Sequence, residues 1–200
     1  RLGNNETKGK AKIKDYLVKI FNGMALGLFS SLLIGLIIKQ LGNLLNIDFM
    51  ISFGEIAQML MGPAIGAGVA YSVGAPPLAI FASVVTGAIG AGTITLQEGV
   101  AMVKVGEPVG AFVAALVGAE FSKIIEGKTK VDIVLVPLAT ILIGGLAGNY
   151  IGPVITSLMT IIGNVINKAT ELHPFLMGII VSVLMGIVLT LPISSAALAI

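Results

Sequence analysis

The amino-acid sequence predicts an all-α fold: a polytopic transmembrane helical bundle with broken or re-entrant helices and an N-terminal amphipathic interfacial helix. Three observations predict it. Hydrophobic residues make up 56% of the 200 and charged residues only 11%, against about a quarter charged in a soluble domain. The apolar residues gather in runs close to the roughly 20 that cross a hydrocarbon layer about 30 Å thick. Glycine and proline interrupt those runs, as in "MGPAIGAGVAYSVGAPP" and "VGEPVGAF", and irregular backbone at membrane depth persists only where protein or a wet cavity satisfies it. This composition excludes a cytosolic enzyme, a nucleic-acid binder, a disordered tail and a disulfide scaffold.

Two regions follow. Residues 1–21 form a basic cytoplasmic tail and amphipathic helix, in which Ile13, Leu17, Val18 and Phe21 alternate with lysines as in helices that lie in the interface. Residues 22–200 form the transmembrane domain, with six or seven apolar segments. The first span is 22–41. The second, 53–73, is interrupted by Glu55, Gln58 and Pro63, and the third, 76–96, carries no charge. The polar patch "QEG" and Lys104 precede the fourth, from 108 to 119 or as far as 125. The fifth runs 131–150. The segment 153–166, dotted with Thr156, Ser157, Thr160 and Asn164, reads as a sixth span, with a re-entrant piece or surface helix as alternatives. The last runs 175–191. The chain lacks an initiator methionine and stops on Ile200 within apolar sequence, so the expectation is a piece of something longer.

Arg1, Lys8, Lys10, Lys12, Lys14 and Lys19 precede the first span, and Lys123, Lys128 and Lys130 form the other basic loop. Four spans separate the clusters, so both fall on one side. Lysine-rich loops stay cytoplasmic, which predicts a multi-pass cell-membrane protein with a cytoplasmic N terminus. Glycine pairs four apart (Gly23/Gly27, Gly62/Gly66, Gly106/Gly110, Gly144/Gly148, Gly148/Gly152) suit close helix packing in lipid.

Most acids lie at segment ends. Glu120 is placed to pair with Lys123 on a helix, and Glu98 with Lys104 across a turn. Two remain as candidate substrate-binding residues. Glu55, in "SFGEIAQML", sits where a buried charge needs a partner or water; it belongs either in a helix-start or interfacial turn or in a lining. Glu107, flanked by Gly106 and Pro108, is either a helix-start carboxylate, since Pro108 suits a first turn, or a pocket group that takes hydrogen bonds from sugar hydroxyls. His173, the one imidazole, makes no metal site alone. No metal, cofactor or self-contained catalytic constellation is expected, and no nucleic-acid partner.

The stretches "NGMALGLFSSLLIGLIIKQLG", "GPAIGAGVAYSVGAPPL", "VKVGEPVGAFVAALVGAE", "PLATILIGGLAGNYIGP" and "HPFLMGIIVSVLMGIVLTLPISSAALAI" resemble the membrane-embedded IIC components of bacterial sugar phosphotransferase systems. The resemblance implies a homodimer that binds a sugar, translocates it and presents it to a separate phosphorylated IIB protein. It also implies a glutamate beside the sugar, matched here by Glu107 and Pro108 of "GEP"; Gly106 of that motif, and Glu55 from its own place inside the second run, complete the candidate site residues. The alternative is a IIC-like sensor or carrier of a membrane lipid or other small ligand. Low aromatic content favours that alternative, since only Tyr71, Phe81, Phe112 and Tyr150 lie in or near the runs.

Overall fold

The computed structural model describes residues 3–172, 174–183 and 186. Helix α1 (Gly3–Leu28) passes through a π-helical turn at Phe29–Leu33 into α2 (Ile34–Leu45). At that turn Ser30 Oγ donates to the Leu26 carbonyl at 2.7 Å and Ser31 Oγ to that of Gly27 at 2.6 Å. Such back-bonding eases a helix away from its regular register. Helical structure is therefore continuous across residues 21 and 22, where the sequence suggested an interfacial helix giving way to a span. The apolar helical stretch that results is Ala11–Leu45.

Asn46 adopts a left-handed conformation, φ 54°, and turns the chain into α3 (Asp48–Met59) and α4 (Met61–Ser72), which are bent by 53° against each other. The sequence treated this region as one run. Pro63 explains the break: without an N–H it cannot bond the carbonyl four residues back, and its ring crowds that turn. Helix α5 (Pro77–Ala91) starts on a proline and ends at Gly92, φ 65°, whose left-handed conformation closes the helix. At 15 residues, about 22 Å, it is short for a span.

A two-stranded antiparallel hairpin follows, β1 (Ile94–Gln97) and β2 (Val100–Val103), with Gln97 opposite Val100. Its two-residue turn is Glu98–Gly99, both at positive φ (49° and 82°), the geometry that matches strand twist. The third apolar run accordingly ends at residue 91, and 94–96 are strand. The all-α prediction needs this one amendment. Helix α6 (Pro108–Ile125) comes next, and α7 (Asp132–Leu172) then runs for 41 residues, through Pro137 and Pro153. Segment 153–166 is thus the continuation of the fifth helix and not a separate sixth crossing. Helix α8 (Pro174–Val183) is the last described. His173, most of 184–191 and the final "PISSAALAI" lie outside the described residues.

Three described helical stretches are long and apolar enough to cross a membrane, and the bent α3–α4 pair makes a fourth. Helix α4 packs against α1, α5 and α6, and α5 packs against α6 and α7. The buried core is narrow: Met61, Ile65 and Val69 on α4, Ala111, Ala115 and Ala119 on α6, and Val136 on α7. Small residues let the backbones approach. Ideal Cβ atoms on Gly23, Gly27, Gly66, Gly110 and Gly148 would all collide with a neighbouring helix, so the glycine pairs seen in the sequence do hold the bundle. Helices α2 and α3 pack mainly on each other, forming an arm beyond the α3–α4 bend.

Candidate functional site

At one end of the bundle, Tyr16 donates to Glu120 at 2.8 Å, and Lys123 Nζ bonds both Glu120 (3.0 Å) and the Val73 carbonyl (3.1 Å). The Glu120–Lys123 pair expected from its spacing is present. Tyr16 joins it from α1, so the N-terminal lysines and the 123–130 loop share one end of the molecule, as the span count required. In that loop Asp132 accepts from the Gly127 N–H and the Thr129 hydroxyl, each at 2.6 Å. This fixes the approach to α7 and leaves Lys128 and Lys130 exposed.

Helix α5 leaves this end and delivers Ala91 about 22 Å away. There the chain folds back on itself. Lys104 donates its N–H to the Thr93 carbonyl at 2.8 Å, and Glu107 donates to that of Ala91 at 2.9 Å. Gly106 has φ 80°, and a Cβ on it would lie 2.5 Å from the Ala91 oxygen. Only glycine meets both demands. Glu107 is the N-cap of α6, extended at φ −107° and ψ 119°, with Pro108 in the first turn. The helix-start reading of "GEP" is therefore correct at the backbone. Its carboxylate makes no capping bond and belongs to neither ion pair among the described residues. Half-buried and beside the positive end of an 18-residue helix, it is free to bind a donor. Helix α6 is about 27 Å long, so Glu107 stands at the end of α6 opposite the Glu120–Lys123 pair.

Glu55 is elsewhere. It lies in the middle of α3, not in a first turn, and its partner is Lys39 of α2 at 2.9 Å. Glu55 and Glu107 are not brought together. The sequence reading missed this pair, although Lys39 and Glu55 are equidistant from Ile47 at the turn, which is the register that two antiparallel helices put side by side. Glu98 sits at the hairpin tip, and the pair with Lys104 expected across the turn is absent among the described residues.

Beside the Ala91–Glu107 turn, a cavity of about 630 Å³ opens between the hairpin and α7. Its walls include Ala91, Thr95, Lys104, Asn149 and Ser157, and Glu107 is not among the residues that line it. Of the aromatic residues flagged from the sequence, none lines it. Phe112 stacks on Phe21 at 5.4 Å, while Tyr71 borders a second groove, of about 380 Å³, with Leu26, Ser30 and Ala64 beside the π-helical turn. Among the described residues no cluster of metal-ligating side chains occurs.

A family model described as phosphotransferase system, EIIC, matches residues 18–200. No curated protein matches the chain, and no solved structure does.

Proposed function

The chain belongs to the EIIC family of the phosphotransferase system, a membrane component of sugar uptake, and from that premise we propose that it binds a sugar at Glu107 and carries it to a phosphorylated IIB partner. The observation that carries this reading is the Gly106–Glu107–Pro108 turn, where a half-buried carboxylate without a partner among the described residues stands at the start of α6. A carboxylate accepts two hydrogen bonds from neighbouring hydroxyls, and charge-assisted bonds of that kind are about twice as strong as neutral ones. Gly106 and Pro108 act as positioning residues. Glu55 contributes through Lys39 to the α2–α3 arm and not through the ligand.

In this reading the basic end is cytoplasmic, in keeping with its lysines, and Glu107 serves the outward mouth. The exposed 126–131 loop is the docking surface for IIB. Binding and phosphoryl transfer are then separated by most of the membrane thickness, so the sugar must be carried inward before its hydroxyl attacks the phosphorus on IIB. The chain acts as a homodimer in the cell membrane. The second reading, a lipid-binding sensor, is favoured by the largely apolar groove at Leu26, Ser30, Ala64 and Tyr71. The test is equilibrium binding of radiolabelled hexoses to proteoliposomes. Glu107→Gln is expected to weaken binding at least tenfold with an unchanged melting temperature, and binding equal to wild type refutes the assignment.

A further inference from the structure

We infer that the groove between the β-hairpin and α7 binds the anionic group of a hydroxyl-bearing ligand, a carboxylate or phosphate on a sugar or on a lipid headgroup, with Lys104 as its charge partner. The inference goes beyond the sugar reading and does not depend on Glu107. The groove's volume of about 630 Å³ falls within the range of small-molecule sites, about 300–1,000 Å³. Lys104 is the one charged side chain on its wall, and no carboxylate lines it. The two ion pairs among the described residues engage Lys39 and Lys123, which leaves the Lys104 ammonium uncompensated.

Three of the uncharged polar groups there are also unspent. Elsewhere in the bundle hydroxyls turn back on their own helix, Ser83 to Ala79, Thr86 to Ser83 and Thr140 to Val136, and on the groove wall itself Thr156 does the same to Gly152. Among the described residues, Thr95, Asn149 and Ser157 make no such bond, and all three face the groove with Lys104. They supply two hydroxyls and an amide around one positive charge, which is the complement of an anion carrying hydroxyls.

Two features fix the geometry. The Lys104 N–H bond to Thr93 holds the lysine at the foot of the hairpin. Gly90, Gly148 and Gly152 also line it, buried where α5 and α7 meet. The groove stands at the end opposite the Tyr16–Glu120–Lys123 cluster, beyond the helix ends at Ala91 and Pro108.

The test uses the full chain in phosphatidylcholine nanodiscs, with D-glucuronate, glucose 6-phosphate and D-glucose titrated by calorimetry. A parallel arm follows retention of phosphatidylglycerol by native mass spectrometry. The wild type is expected to favour an anion over its neutral counterpart at least tenfold, Lys104→Gln to abolish that preference and Lys104→Arg to keep it. Preference among the sugars identifies a free ligand, and preference confined to phosphatidylglycerol identifies a lipid. No anion preference in either arm, or a preference that persists in Lys104→Gln, overturns the inference. Anion binding is expected to survive in Glu107→Gln, so failure here and failure of the hexose assignment are separately visible.

Discussion

Replacing Gly90 with alanine tests the packing on which the site is built. Gly90 is the penultimate residue of α5 and the point where α5, α6 and α7 meet. A Cβ there would run into the Gly110 carbonyl of α6 and lie 2.5 Å from the Ala114 Cβ, and the Gly148 position of α7 closes in on the Gly90 Cα. The obstacle is backbone, so no rotamer change relieves it and the helices must part. Overpacking of this kind costs about 1–3 kcal/mol, offset by at most about 1 kcal/mol from alanine's helix propensity. For a chain of this size each kcal/mol moves the melting temperature by about 2–4 °C. A net loss near 2 kcal/mol therefore lowers it by about 4–8 °C. Gly163, in the interior of α7 with nothing within 4 Å of its would-be Cβ, is the control, and Gly163→Ala is expected to gain up to about 1 kcal/mol. Thermal unfolding in detergent, followed by circular dichroism, measures both. If Gly90→Ala melts at or above the wild type, the three-helix junction is not as tight as described.

Two further predictions follow from polar groups in the bundle. Lys39→Met and Glu55→Met should each destabilise, because each strands a charge in an apolar arm, whereas the double variant should recover, with a coupling of at least about 0.5 kcal/mol; additive losses contradict a working pair. The Thr93 hydroxyl is fully buried with no partner and sits against Gly62. An unmet hydroxyl costs about 1–3 kcal/mol, so Thr93→Val should raise the melting temperature by a few degrees, and a fall would show that the hydroxyl bonds a buried water.

The sequence was most readable where local chemistry decides the outcome. Pro108 after Glu107 marked the start of α6, the spacing of Glu120 and Lys123 gave their pair, and glycines four apart marked the seams. It was least readable where long-range contacts decide. Pro153 suggests a break, yet α7 continues through it, as membrane helices often do when neighbours satisfy the freed carbonyl. The strand "ITLQ" alternates apolar Ile94 and Leu96 with polar Thr95 and Gln97, the period of a half-buried strand, yet residues 94–96 merged with the preceding apolar run; that alternation and the Glu98–Gly99 turn were the overlooked signals. The groove at Lys104 was invisible because its wall joins a hairpin to a helix some 45 residues later, and no local pattern encodes that meeting.

The central claim is that the carboxylate at position 107 is open to water and not to lipid. The chain contains no cysteine, so a single Glu107→Cys variant in proteoliposomes reports its surroundings without background. Prompt labelling by a charged, membrane-impermeant maleimide is the predicted result. Labelling only by a lipid-soluble maleimide contradicts it.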